Sequence, residues 1–168
     1  MNTFWFDLFN FVSLFGSEKA VIILATLISL IVLFAYQKKR VSAFIFSNYA
    51  ITALIVVLLK LIIQKPRNSL ALVLENTYAF PSGHTALATT TSLLLFYLSK
   101  FVKNKNLKIF MNVFGFLWLA LMVAARLYLK VHDVSDVVTS ILFSILIFFL
   151  LLKLRIFRKD LLKKEFEK

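Results

Sequence analysis

The residues best suited to chemistry lie between positions 125 and 137, in the stretch ARLYLKVHDVSDV. His132 and Asp136 are four residues apart, so on a helix they would share one face, within about 40° of each other. A carboxylate placed there holds one imidazole nitrogen and leaves the other free and more basic. Arg126 could bring positive charge to the same point. The stretch therefore predicts a base or nucleophile, an acid that orients it, and an arginine that binds an anion.

A second stretch, KLIIQKPR, places Lys60 and Arg67 at the end of an apolar run. A lysine inside a bilayer costs about 2.5–3.5 kcal/mol at the centre and less near the surface. A ligand with negative charge would explain its presence. The alternative is a lysine that extends its ammonium group to the interface, followed by an arginine at the membrane edge. This pair alone does not separate the two explanations.

The third stretch, FPSGHT, begins at residue 80 and leads into another apolar run. Pro81 and Ser82 form a start signal for a helix, because serine is a preferred cap. The free N–H groups and the positive dipole end of such a helix attract phosphate, and Gly83 lets a ligand approach the backbone closely. His84 would point into the same pocket. For this stretch on its own, the alternative is an ordinary helix cap with an incidental histidine.

The composition indicates what kind of protein carries these residues. Of the 168 residues, 61% are hydrophobic, whereas soluble domains are about 45–50% apolar. We therefore predict a single integral membrane domain that covers residues 1–168. The chain contains no cysteine, which excludes disulfides, thiolate metal sites and a cysteine nucleophile. Nothing in the sequence indicates a cofactor.

The apolar runs predict an all-α fold, a polytopic membrane bundle of about five transmembrane helices preceded by an interfacial helix. The interfacial helix is predicted for residues 2–15, because this segment is too short and too polar to cross a bilayer of about 30 Å. A loosely packed arm is the alternative for it. A basic tail follows the last span, at residues 153–168. The predicted spans are residues 20–36, 42–64, 83–99, 109–129 and 134–152.

The distribution of basic residues predicts the orientation. Most of the 20 Lys and Arg residues lie in three segments, 38–40, 100–108 and 153–168. The positive-inside rule places these segments in the cytoplasm, so the loop at 65–80 and the turn at 126–136 face outward. The net charge of +12 is then explained by topology and by attraction to anionic membrane lipids. Nucleic acid is not needed as a partner.

The three stretches together resemble the type 2 phosphatidic acid phosphatase (PAP2) superfamily of membrane phosphatases. Its pattern is K-x6-R-P, then P-S-G-H, then S-R-x5-H-x3-D, and the resemblance covers roughly residues 20–152. Two positions depart from it. Asn68 stands where the family has proline, which should change the stiffness of the loop, and Ala125 stands where it has serine, which removes one possible phosphate contact. The matching residues are Lys60, Arg67, Pro81, Ser82, Gly83, His84, Arg126, His132 and Asp136.

The resemblance implies a catalytic role for three residues. His132 would be the nucleophile that attacks phosphorus to give a phosphohistidine, and Asp136 would orient its ring and stabilise its positive charge. His84 would be the general acid that protonates the leaving lipid oxygen, and then the base that activates water. The phosphate would be bound by Lys60, Arg67, Ser82, Gly83 and Arg126.

No metal is implied by this set of residues. At most five carboxylates lie on the outward side, and only two of them, Asp133 and Asp136, are close in sequence, so a two-metal carboxylate cluster is not expected. Asp133 is interpreted as a helix-start residue, because on a helix it would face about 100° away from His132. The other three are Asp7, Glu18 and Glu75.

The predicted substrate is a lipid whose phosphate lies in the headgroup layer, at the outer face of a bacterial cytoplasmic membrane. Within the family, undecaprenyl diphosphate or a broad lipid-phosphate activity is favoured, because the chain is a minimal core. Phosphatidylglycerophosphate, phosphatidic acid and the 1-phosphate of lipid A are alternatives. A lipid-phosphate transporter or flippase that cleaves nothing is the alternative of another class, but it gives no reason for the His132–Asp136 pair, and five short spans leave little room for alternating access. The sequence does not specify an oligomeric state.

Overall fold

The computed structural model describes residues 3–166, and every regular element in that range is helical. The predicted all-α fold class is confirmed. Residue 2, where the interfacial helix was predicted to begin, and residues 167–168 of the basic tail lie outside the described range. The α-helices are α1 (Thr3–Phe15), α2 (Glu18–Phe34), α3 (Lys39–Ile63), α4 (Gly83–Leu98), α5 (Lys105–Tyr128), α6 (Val134–Lys153) and α7 (Lys159–Phe166).

The five predicted spans correspond to α2–α6, with ends displaced by up to four residues. The largest displacement is at α5, which begins at Lys105 because the side chain of Asn104 accepts a hydrogen bond from the Leu107 N–H. An apolar run indicates where the membrane core lies, whereas a cap decides where the helix starts.

The helices differ in their capacity to cross a bilayer. By length and composition, α3, α5 and α6 are each long and apolar enough to cross a membrane. Helices α2 and α4 have 17 and 16 residues, fewer than the roughly 20 that an independent span needs. Helix α1 meets α2 at a bend of 43°, and the two would form a fourth span if they act as one. The interfacial position predicted for the first segment stays a prediction.

Helix α4 lies in the middle of the bundle and packs against α3, α5 and α6. Small side chains on α4 let the neighbouring helices approach closely, as is common in membrane proteins. Ser92 Oγ donates a hydrogen bond of 2.6 Å to the carbonyl oxygen of Gly115 on α5, and Ser144 Oγ on α6 donates one of 3.2 Å to the carbonyl oxygen of Ala86. These bonds join the middle of α4 to the middle of α5, and the first turn of α4 to the middle of α6.

The basic tail folds back onto the bundle. Leu162 of α7 is completely buried, and the Glu165 carboxylate accepts hydrogen bonds from the N–H groups of Arg40 and Val41 in the first turn of α3. The charge of the tail alone does not predict where it packs. Its apolar positions on α7 decide where it packs.

Candidate active site

The three chemical stretches meet at one end of the bundle. Lys60 lies in the last turn of α3, and Arg67 lies in the loop that connects α3 to α4. Ser82 is the N-cap of α4, and its side chain accepts a hydrogen bond from the Thr85 N–H. His132 lies in the short connection between α5 and α6. Helix ends and the two connections between helices thus position the predicted side chains.

His132 and Asp136 face each other across the first turn of α6. The Nδ1 atom of His132 is 3.6 Å from Oδ2 of Asp136, which is within ion-pair range but too long for a hydrogen bond. Both side chains are buried, and Nδ1 of His132 makes no hydrogen bond in the described residues. The carboxylate therefore lies opposite Nδ1, which leaves Nε2 as the nitrogen that can react.

The Asp136 carboxylate is held by two other groups. The ammonium group of Lys65 is 2.6 Å from Oδ1, and the N–H of Asp133 donates a hydrogen bond of 3.0 Å to Oδ2. Asp133 is the N-cap of α6 and lies 3.0 Å from Lys65, so its interpretation as a helix-start residue is confirmed. Sequence reasoning missed Lys65 as part of the site, and its place two residues before Arg67 was the only available signal.

The surroundings of His132 favour its neutral form. Burial lowers its pKa to about 4; Asp136 opposes this effect, and the charge of Arg126 adds to it. At neutral pH the ring therefore has an unshared electron pair on one nitrogen. That is the form a nucleophile requires.

Two arginines that are predicted to bind phosphate, Arg67 and Arg126, form ion pairs with the same carboxylate. Arg67 Nη2 lies 2.6 Å from Oε2 of Glu75, and Arg126 Nη2 forms an ion pair with Oε1 of the same side chain. Burial acts to raise the pKa of Glu75, but the charges of Arg126 and Arg67 outweigh it and hold that pKa below its usual value. Glu75 therefore carries a negative charge between the two arginines. Sequence reasoning had counted it only as a loop carboxylate.

Lys60 is buried among polar atoms of the following loop. Its ammonium group donates hydrogen bonds to Oγ1 of Thr77 at 3.2 Å and to the carbonyl oxygen of Tyr78 at 3.0 Å. It also lies 3.6 Å from a carboxylate oxygen of Glu18. A lysine that extends towards the interface would not be enclosed in this way, and the binding of phosphate by Lys60 stays a prediction.

Gly83 and His84 begin α4 at the edge of the same cluster. A side chain at position 83 would collide with the Glu18 carboxylate, so glycine lets that carboxylate reach Lys60. His84 lies within electrostatic range of four charged or titratable side chains, those of Arg126, Glu75, His132 and Lys60. The two histidines predicted to act on the same phosphate are thus placed around the same cations.

The site is rich in cations and nitrogen bases. In residues 3–166, no group of three or more His, Asp or Glu side chains lies close enough together to hold a metal ion. What the arrangement offers is two imidazoles beside a lysine and two arginines. That combination suits transfer of a phosphoryl group, because charge stabilisation dominates such reactions.

Comparison with known proteins gave two matches. The sequence model described as the PAP2 superfamily matches residues 40–160. The crystal structure of a transmembrane PAP2-type phosphatidylglycerolphosphate phosphatase from Bacillus subtilis has the same fold, with a TM-score of 0.78 and 24% sequence identity over 90% of this chain and 76% of that chain. A search of curated proteins found no match.

Proposed function

Because the chain belongs to the PAP2 superfamily, whose fold is that of membrane lipid phosphatases, we propose that it hydrolyses the phosphate or diphosphate group of a membrane lipid through a phosphohistidine intermediate. The observation that carries this proposal is the meeting of three distant stretches of sequence in one cluster. The cluster contains both histidines of the chain and the three motif cations. No structural need explains so many polar groups at one end of a membrane bundle, because buried charges are costly there.

In the first step of the reaction, Nε2 of His132 attacks the phosphorus atom. A bond forms between nitrogen and phosphorus, and the bond between phosphorus and the lipid oxygen breaks. His84 gives its proton to that leaving oxygen, so the lipid departs as an alcohol, or as a lipid monophosphate when the substrate is a diphosphate. Nδ1 of the phosphorylated ring keeps its proton and faces Asp136, whose negative charge stabilises the positive ring.

In the second step, water completes the hydrolysis. His84, now neutral, takes a proton from a water molecule whose oxygen attacks phosphorus, and the bond to Nε2 of His132 breaks. Phosphate is released, and both imidazoles return to their starting protonation. Lys60, Arg67 and Arg126 stabilise the negative oxygens in both steps, and the fork of an arginine suits two such oxygens at once.

The substrate follows from the position of the site. The cluster lies at helix ends, where a headgroup phosphate would meet it while the lipid tail stays in the bilayer. Undecaprenyl diphosphate or a range of lipid phosphates is the proposed substrate. Phosphatidylglycerophosphate is a second candidate, because the similar crystal structure is of a phosphatase for that lipid. The 1-phosphate of lipid A and phosphatidic acid complete the set.

The proposed location is the outer face of a bacterial cytoplasmic membrane. The end of the bundle opposite the site carries Lys38, Lys39 and Arg40, together with the basic residues of α7. By the positive-inside rule that end faces the cytoplasm. The histidines then open towards the outer leaflet.

Phosphate release from purified protein in detergent tests the proposal. The wild type should release phosphate from at least one of the four lipids in the presence of EDTA. His132→Ala should lose the activity almost completely, whereas Lys19→Ala, which removes an exposed cation outside the cluster, should keep it. Acid-labile phosphate on the wild-type chain would report the intermediate.

Three results would count against the proposal. Activity that persists in His132→Ala would exclude this residue as the nucleophile. Reversible loss of activity with EDTA would contradict the metal-independent mechanism. Binding and transfer of lipid phosphates between leaflets with no release of phosphate would favour a flippase instead.

A further inference from the structure

The Glu75 carboxylate lies where two of the phosphate-binding cations converge. One of its oxygens pairs with Nη2 of Arg67 at 2.6 Å, and the other pairs with Nη2 of Arg126. The glutamate belongs to the loop between α3 and α4, outside the three motifs. No catalytic role in the proposed reaction requires it, since a carboxylate cannot bind a phosphate oxygen of like charge.

The remaining N–H groups of the two arginines show why this position matters. Arg67 uses Nη1 to donate to the carbonyl oxygen of Val131 at 2.9 Å, and Nε to donate to that of Thr77 at 2.7 Å. Arg126 uses Nη1 to donate to Ser13 Oγ at 3.3 Å, and its Nε has no hydrogen-bond partner within residues 3–166. Nη2 of Arg67 also donates to Oγ1 of Thr77 at 3.0 Å and to the carbonyl oxygen of Tyr78 at 3.4 Å. These bonds fix the guanidinium groups, and each Nη2 also faces Glu75.

A phosphoryl group bound by both arginines would need the same Nη2 groups. We propose that Glu75 determines the affinity of the site by competing, through its carboxylate, with the phosphoryl group of the substrate and with released phosphate for Arg67 and Arg126. The inference rests on the proposed function, because it takes phosphate as the ligand. It adds a residue that the family pattern does not contain and states what that residue does.

The charges of the three motif cations and the two glutamates, counted with neutral histidines, favour an exchange of anions over a shared site. Lys60, Arg67 and Arg126 provide three positive charges, which Glu18 and Glu75 largely balance. A phosphate dianion added to this set would leave an excess of negative charge in a buried region, which is costly. If Glu75 leaves as phosphate enters, the positive and negative charges balance.

The loop allows Glu75 to leave without disturbing the arginines. Leu74, the residue before it, is 100% exposed, so this part of the loop stands away from the helices. The loop is fixed on either side, where the Leu72 N–H donates to the carbonyl oxygen of Leu129 and the Ala79 N–H donates to that of Lys65, both at 2.9 Å. The segment 73–76 can therefore move while the contacts of Arg67 with Val131 stay in place.

Competition by Glu75 has a consequence for turnover. Three cations without a competing carboxylate would hold released phosphate strongly and slow its departure. The return of Glu75 displaces phosphate from the arginines. The residue therefore weakens the binding of substrate and product alike, which affects KM and product inhibition more than the chemical step.

Binding of inorganic phosphate to the purified full chain in detergent tests this role without turnover. Dissociation constants would be measured by isothermal titration calorimetry for the wild type, Glu75→Gln and Glu75→Ala. Asp7→Asn is the matched control, because it removes one negative charge at an exposed position. We expect roughly tenfold tighter phosphate binding in both Glu75 variants, from the usual strength of charged hydrogen bonds, and no change in the control. The KM for the lipid phosphate should fall in parallel, without a rise in kcat.

The outcomes separate this inference from the proposed function. Unchanged or weaker phosphate binding in Glu75→Gln and Glu75→Ala would overturn the inference, because it would mean that Glu75 only holds the arginines in position. Undetectable binding in every variant would overturn it as well. Tighter binding in the variants of a wild-type protein that hydrolyses none of the lipids would support Glu75 as the competitor and reject the phosphatase function.

Discussion

The two ends of the helix bundle are constructed in opposite ways. Around His132 the interior contains the charged side chains of Arg126 and Asp136, which are 1% and 0% exposed. At the other end, Phe44 packs against Phe148 and Phe157 with ring centroids 5.6 and 5.3 Å apart. Buried charges cost free energy, whereas packed rings lower it. The first end is therefore suited to chemistry, and the second to stability.

Two glutamates, one at each end of the bundle, differ in a similar way. Glu165 accepts hydrogen bonds from backbone N–H groups at the start of α3, which is the work of a helix cap. Glu75 pairs instead with two side-chain guanidinium groups, which is the position of a ligand. A carboxylate bound to backbone N–H groups stabilises one structure, whereas a carboxylate bound to two guanidinium groups can be exchanged for another anion.

The largest expected effect is on catalysis, from Asp136→Asn. An asparagine keeps the shape of the side chain but removes the charge that stabilises the phosphorylated His132. We expect kcat to fall by roughly 10⁴-fold, the order found when an orienting carboxylate is replaced, and the melting temperature in detergent to fall as well, because the ion pair with Lys65 is lost. Steady-state phosphate release and a melting curve measure the two quantities. A fall in kcat of less than tenfold would remove Asp136 from the mechanism.

The next effect is on stability, from Phe44→Ala. The ring is fully buried, so its removal leaves a cavity between α3, α6 and the 3₁₀ turn that follows α6 at Arg155–Phe157. Loss of a buried phenylalanine costs about 3 kcal/mol, measurable as a lower free energy of unfolding in mixed micelles. The kcat of the molecules that remain folded should stay within about twofold of the wild type, because Phe44 is at the end remote from the site. A kcat that fell with stability would show that the two ends are coupled.

The smallest effect is on titration, from Lys65→Met. With a pKa of about 4 in the folded chain and about 6.5 when unfolded, His132 stays neutral at neutral pH. The stability linked to its neutral form is complete above about 6.5 and is lost as the pH falls towards 4. Removing Lys65 leaves Asp136 with its charge uncompensated, so the pKa of His132 should rise. An NMR titration of labelled histidine, with His84→Gln used for assignment, measures the shift. An unchanged or lower pKa would exclude Lys65 as the group that balances Asp136.

Much of the fold could be predicted because apolar runs and basic loops are local properties. The length and apolar composition of the runs that became α3 and α6 predicted helices, and the fold class is confirmed. The ends were less predictable, because the cap of α5 depends on one side chain, Asn104, that an apolar pattern does not weigh. The packing of α7 could not be predicted, since the burial of Leu162 depends on a surface formed by distant helices.

The candidate site, like the fold, could be predicted from the sequence only in part. The spacing of Lys60, Arg67, His84 and His132 was sufficient to identify the family and to predict which side chains would meet, because helix ends in a membrane bundle are brought to common levels. Spacing carried no information about Lys65 or Glu75, whose importance comes from contacts across the loop. These two residues form ion pairs with partners 51 and 71 positions away, and such distant pairs produce no pattern in the sequence. Only the folded arrangement shows that one carboxylate lies between the two arginines.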